Sequence, residues 1–240
     1  MPTAAAIIIG DEILSGKFAD ENGPFLIGRL RSLGSDLRRL VTISDDLDAI
    51  AQEVRGCSER YDLVFTTGGV GPTHDDLTME GIARAFDVPL VESDRLVSLM
   101  KSYGMGIDET TVRMSRIPQG AVLVDSPRSS YPVVRMANVW IFPGVPKLLR
   151  SKFDALADHF KGEAVHTARL YTTERESEIA QRLADAAVRH PSVDIGSYPR
   201  WGEGDFRVII TFESRDPTAL SAATDELAGT LTLGEASKQV

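Results

Sequence analysis

Three times before Phe86 the chain repeats one pattern: a short apolar run, a polar or glycine-rich loop, and a segment with apolar residues on one helical face. The runs are residues 4–9, 37–43 and 63–65. The helical faces are Leu26, Leu30 and Leu33; Leu47, Ile50, Val54 and Cys57; and Met79, Ile82, Ala83 and Phe86. Strand and amphipathic helix alternating at this spacing predict βαβ units and a parallel sheet, and so an α/β fold. In such a sheet the loops that follow the strands share one rim, where ligands bind.

The third loop carries the most chemistry. Thr66-Thr67-Gly68-Gly69-Val70-Gly71-Pro72-Thr73-His74-Asp75-Asp76-Leu77-Thr78-Met79-Glu80 joins a glycine-rich turn to a cluster of carboxylates. Backbone N–H groups at such a turn suit a phosphate, but adjacent acids repel a bare one. A hard cation such as magnesium between carboxylates and ligand reconciles the two. The glycines could also be a tight connection only, and Asp75 or Asp76 a helix cap, with one of them expected to cap and the other to serve chemistry. Asp46 reads as a cap, and His74 as a surface or rim residue.

Other loops add acids to the same predicted rim. After the first run comes Gly10-Asp11-Glu12-Ile13-Leu14-Ser15-Gly16-Lys17, which falls short of a P-loop because its glycines are one residue too far apart and Phe18 replaces Ser or Thr. After the second run stands Ser44-Asp45-Asp46. The apolar run 138–142 ends at Pro143-Gly144-Val145-Pro146, a rigid turn in which Gly144 would permit close approach of a ligand. Arg113 and Arg116, three apart on a helical piece, read equally as phosphate contacts or a solvated face. Residues 126–132 read as a loop from their turn residues.

At 240 residues, with 42% hydrophobic and 25% charged, the chain is long and apolar enough for a full core. A formal net charge of −9 argues against nucleic acid as a partner. The apolar start is too short to span a bilayer and lacks the basic start of a signal peptide, so no membrane association and a cytoplasmic location are expected. Cys57, the only cysteine, excludes an intramolecular disulfide and reads as a buried structural thiol. A second unit begins near Gly162, with strand, helix, two strands and helix. In it Val208, Ile210 and Phe212 alternate, and two helices cover one sheet face. The expected division is residues 1–161, a small α+β domain over 162–233, and a frayed tail over 234–240.

The stretch TTGGVGPTHDDLTMEGIARAFDVPL, with GDEILSG, SDD and FPGVP in matching order, resembles the molybdopterin-binding domain family of molybdenum-cofactor biosynthesis proteins. Within it, the competence/damage-inducible protein A branch is the nearer likeness, over residues 5–160. NVWIFPGVPKLLRSKF and DIGSYPRW are similar to the molybdopterin-binding-like domain attached to eukaryotic FAD synthases. The catalytic FAD synthase module is not in these residues, so FAD synthesis is not implied.

The resemblance implies a three-layer, mainly parallel sheet, a homo-oligomer, and a phosphorylated small-molecule ligand. Gly68, Gly69 and Gly71 would cradle phosphate, with hydroxyls from Thr67 and Thr73. Gly10, Asp11, Glu12, Ser15, Pro72, Thr78, Pro143, Gly144 and Pro146 would complete the ligand site. Asp45 and Asp76 match the acidic positions for a divalent metal (magnesium, manganese or cobalt) or for catalysis, and Asp75 and Glu80 belong to the same acidic pattern. Two functions stay open: metal-dependent hydrolysis of a dinucleotide pyrophosphate such as FAD or ADP-ribose, and a non-catalytic module that binds molybdopterin or a nucleotide.

Overall fold

β1 (Thr3–Ile9) meets solvent on neither face: Ala4 to Ile7 are 0% exposed, and Ile8 and Ile9 are 2% exposed. A strand covered on both sides reads as an unbroken apolar run. Its pleat still sorts the side chains by twos. Ala5, Ile7 and Ile9 enter one core cluster, and Ala4, Ala6 and Ile8 the other.

The structure, a computed structural model, describes residues 1–106, 108–126, 129–202 and 204–234, and divides into two units, Met1–Gly162 and Glu163–Val240. In the first, β1 leads to a single helical turn, α1 (Asp11–Leu14), then α2 (Asn22–Ser32), β2 (Asp36–Ile43), α3 (Leu47–Ser58), β3 (Leu63–Thr67) and α4 (Thr78–Ala85). There follow β4 (Leu90–Glu92), α5 (Asp94–Ser102), α6 (Glu109–Ser115), β5 (Arg116–Pro118), β6 (Val122–Ser126), β7 (Ser129–Met136), β8 (Val139–Phe142) and α7 (Pro146–Ala155). The six-stranded sheet has the order β2-β1-β3-β8-β7-β6. β2, β1, β3 and β8 are parallel, and β7 and β6 run antiparallel. One face carries Ile50 and Val54 of α3, Ile82 of α4, and Leu96 and Met100 of α5. The other carries Leu26 and Leu30 of α2, Leu149 and Phe153 of α7, and Phe160. This is a three-layer, mainly parallel α/β architecture. The chain places β2 on one side of β1 and β3 on the other, which opens a crevice beyond the carboxyl ends of β1 and β3.

Two local readings change. Residues 129–132 belong to β7 and not to a loop; Pro127 and Arg128 lie outside the described residues. Pro132 falls where the pairing of β6 with β7 shifts register, so its missing N–H removes no ladder bond. Arg116 starts β5, which pairs with β4, and so does not share a helix with Arg113.

The second unit contains β9 (His166–Thr172), α8 (Glu176–Arg189), β10 (Asp194–Pro199), β11 (Val208–Ser214) and α9 (Pro217–Ala228). The antiparallel sheet has β11 at its centre, in the order β10-β11-β9. Val208, Ile210 and Phe212 are 0% exposed and pack with Ile179 of α8 and Ala223 and Leu227 of α9. Gly234, placed in the expected frayed tail, donates its N–H to the Tyr171 carbonyl at 2.8 Å; residues 235–240 lie outside the described residues. Among the described residues no helix is long and apolar enough to cross a membrane.

Candidate functional site

The ends of β1, β2 and β3 meet as the sequence pattern predicts. Gly68, one residue past β3, has φ +105, and a Cβ there would lie 2.0 Å from the Ile9 carbonyl oxygen, so only glycine lets the two strand ends touch. Asp45, past β2, accepts the Asp11 N–H at 2.8 Å. Its Oδ1 also lies 3.4 Å from the place a Cβ on Gly69 would take. One carboxylate thereby stands against the loops of all three strands. Burial raises its pKa; the Asp11 N–H works the other way, and the charges of Glu12, Asp11 and Asp75 push it further up.

The glycine-rich loop is held from within. Asp76 accepts the N–H groups of Gly71 and Thr73, both at 2.7 Å, and the Thr73 hydroxyl at 2.5 Å. Arg113 Nη2 reaches over from α6 to the carbonyls of His74 and Asp76, each at 3.3 Å. Neither acid caps α4, whose first residue follows Leu77 without a side-chain cap. The expected cap is therefore corrected: neither acid caps α4, Asp76 closes the loop, and Asp75 stands exposed within the field felt by Asp45. The Thr73 hydroxyl is the chief influence holding Asp75 below the ordinary carboxylate range. Asp46 does cap α3, accepting the Ala49 N–H at 2.8 Å.

Several expected ligand groups serve the scaffold. The Thr67 hydroxyl donates to the Pro143 carbonyl at 2.9 Å, and Thr78 donates to the Gly68 carbonyl at 2.8 Å. Gly68 N–H goes to Phe142 at 3.3 Å. Gly144 permits a close approach of backbone to backbone, since its Cβ would sit 3.2 Å from Gly68 Cα. Pro146 is the first residue of α7, where its missing N–H costs nothing. Among the described residues, the loop's own bonding leaves the amides of Gly69 and Val70 unpartnered.

Two cavities meet at those residues. The larger, about 680 Å³, is lined in part by Glu12, Gly68, Pro143 and Gly144, and its walls are mostly apolar. The smaller, about 200 Å³, is polar and carries Glu80, Glu109, Arg113 and Arg116. Gly69, Val70, Gly71, Asp76, Met79 and Met114 wall both. Asp45, Asp75, Asp11, Gly10, Ser15, Pro72, Thr73 and Thr78 line neither. Among the described residues no three His, Cys, Asp or Glu side chains are grouped to hold a metal ion by themselves. The acids at the rim fit instead a magnesium-type ion shared with ligand phosphates, which needs only one or two protein carboxylates. Cys57 is buried as expected, its thiol pushed up to about 12 by burial and by Glu53.

The sequence reading missed Asn22 and Lys152. Asn22 ties Thr67 Oγ1 at 3.0 Å and the Gly144 carbonyl at 2.7 Å, joining β3 to the turn before α7. Lys152 is 8% exposed, lines the larger cavity, and donates to the Tyr131 carbonyl. Its only sequence signal is a place beside the apolar face of Leu149 and Phe153, where a lysine is normally solvated.

Residues 5–161 match the family described as "Probable molybdopterin binding domain", and residues 164–239 match "FAD synthase, middle domain". The chain is 37% identical over 249 residues to a "Probable FAD synthase" of Caenorhabditis briggsae, covering 92% of this chain and 48% of that protein. It is 30% identical over 236 residues to a "CinA-like protein" of Myxococcus xanthus, covering 91% and 56%. A solved structure of "the protein CinA with unknown function" from Thermoplasma acidophilum superposes with a TM-score of 0.61 at 31% identity, over 66% of this chain and 98% of that one. The chain spans about half the length of the two nematode FAD synthase relatives, 48% and 49%. By sequence and fold alike, it belongs to the molybdopterin-binding domain family, in a CinA-like form followed by a segment similar to the FAD synthase middle domain.

Proposed function

We propose that this site binds a dinucleotide whose two halves are joined by a pyrophosphate, such as FAD or ADP-ribose, and hydrolyses it with a divalent cation. The observation that carries the reading is the shared wall: Gly69 and Val70, with unpartnered amides, stand where two cavities of different character meet. A pyrophosphate on those amides would place one half of the ligand on each side. Asp45, with Asp75, Asp11 or Glu12 near it on the rim, would hold the cation. Magnesium, manganese or cobalt bound there would neutralise the pyrophosphate and assist the attacking water. Asp76 and Arg113 keep the loop in its shape and so orient the linkage. Water adds across the P–O–P bond, its oxygen joins one phosphorus, and the bridging oxygen leaves on the other, giving two monophosphates.

Purified protein incubated with FAD, ADP-ribose and NAD in turn and each of the three metals should release AMP from at least one of them, and Asp45→Asn should lower that release about a hundredfold or more. No AMP under any metal would overturn the hydrolase reading.

A non-catalytic molybdopterin or nucleotide module is favoured by a different observation: the Gly68 and Gly71 amides are satisfied within the chain, and no all-protein metal cage exists among the described residues. Tight molybdopterin binding without AMP release would select it. A homo-oligomer is proposed on the family resemblance, and light scattering of the purified chain measures it directly.

A further inference from the structure

The larger cavity has a chemical polarity of its own. Glu12, Asp76 and the glycine-rich loop form part of its wall, while Leu96, Met114, Tyr131, Val134, Ile141 and Leu148 make most of the rest apolar. Among the described residues that line it, one side chain is cationic, Lys152. Its ammonium is pinned by donation to the Tyr131 carbonyl and stands 5.2 Å from the centre of the Tyr131 ring. A mostly apolar chamber of about 680 Å³ has room for a fused heteroaromatic ring, and a fixed cation on its wall is suited to one edge of that ring.

We infer that Lys152 reads the ring edge of the ligand and selects a heterocycle whose edge carries carbonyl acceptors, as flavins and pterins do. This rests on the reading of the site as one for a phosphorylated heterocycle. Adenine presents an amino donor beside its ring nitrogen and meets a cation poorly. The oxidised nicotinamide ring is itself cationic and is repelled. The smaller cavity differs in carrying, beside Arg113 and Arg116, the carboxylates of Glu80 and Glu109, which can accept from an amino group. Burial lowers the pKa of Lys152, in keeping with an ammonium short of water and best used against an oxygen acceptor. A phosphate is the poorer match for a single ammonium, since its charge calls for several donors.

Binding of FMN, 6-hydroxymethylpterin and AMP to the full chain, without turnover, tests the inference in wild type, Lys152→Met and Lys152→Gln. Gln can still tether the Tyr131 carbonyl but has lost the charge, so it separates ring recognition from a structural tie. Both variants should weaken the ring ligand about tenfold to a hundredfold and change AMP by less than about twofold. If FMN alone shows the loss the source is a flavin, and if the pterin alone shows it the source is a pterin. Equal weakening of ring ligand and AMP, unchanged ring affinity, or no ring binding by the wild type overturns the assignment. If Lys152→Met fails to fold, Lys152→Gln decides alone. AMP release from ADP-ribose is followed in parallel, so failure of the hydrolase reading is seen separately from failure of ring selection.

Discussion

Asp76 accepts three hydrogen bonds from its own loop, and Asp45 accepts one from a neighbouring strand end, so two acids that look alike in sequence carry different burdens. Removing the first leaves donors unpaired. Asp76→Ala should cost about 1–3 kcal/mol in denaturant unfolding, with Asp76→Asn costing less. Asp45 behaves in the opposite sense. Its folded pKa is raised, chiefly by burial, so the folded protein holds a proton there that the unfolded chain has released. Stability from this group therefore falls as pH rises through the ordinary carboxylate range to the raised value. Asp45→Asn keeps an acceptor for the Asp11 N–H and removes the charge. It should raise the melting temperature at pH 7, with the gain shrinking as pH falls below the ordinary carboxylate range. A bound divalent cation should raise the wild-type melting temperature and leave that of the variant unchanged; melts with and without magnesium measure both.

Elements set where these residues can meet. β1 needs no alternation because helices cover both its faces, and the loops of β1, β2 and β3 converge because β1 lies between the other two. The contact at Gly68 makes the convergence close. Gly68→Ala would drive a Cβ into the Ile9 carbonyl and should cost more than about 2 kcal/mol by thermal melting. Gly16→Ala is the control: φ there is also positive, at +73, but nothing lies within 4 Å of the added carbon, so only about 1 kcal/mol is expected. α7 acts as a second arm of the site. Its start is tied to β3 through Asn22, and its second turn brings Lys152 to the cavity wall.

At the scale of the whole molecule there are two units with separate cores. Phe212 is 0% exposed in the core of the second. Phe212→Ala should destabilise that unit by about 3–5 kcal/mol. Amide hydrogen exchange should show lost protection across β9, β10 and β11, and retained protection in β3 and α4. Equal loss in both units would show that they unfold as one body. The chemistry proposed here is built from residues of the first unit.

Apolar periodicity and turn residues are local signals, and they determined the strands, the helices, the parallel sheet and the rim on which the acids gather. They were enough to point to the loop from Gly68 to Gly71, while Asp45 and Asp76 were singled out among its neighbouring acids by the family resemblance. β5 and the first residues of β7 escaped because their pairing partners lie elsewhere in the chain and their own residues look like turns. The tertiary structure alone decided which acid closes the loop and which stands free. It alone brought Asn22 to partners 45 and 122 residues away. Lys152 shows the same limit, because a lysine's burial depends on what packs over it, and neither its spacing nor its neighbours in sequence carry that information.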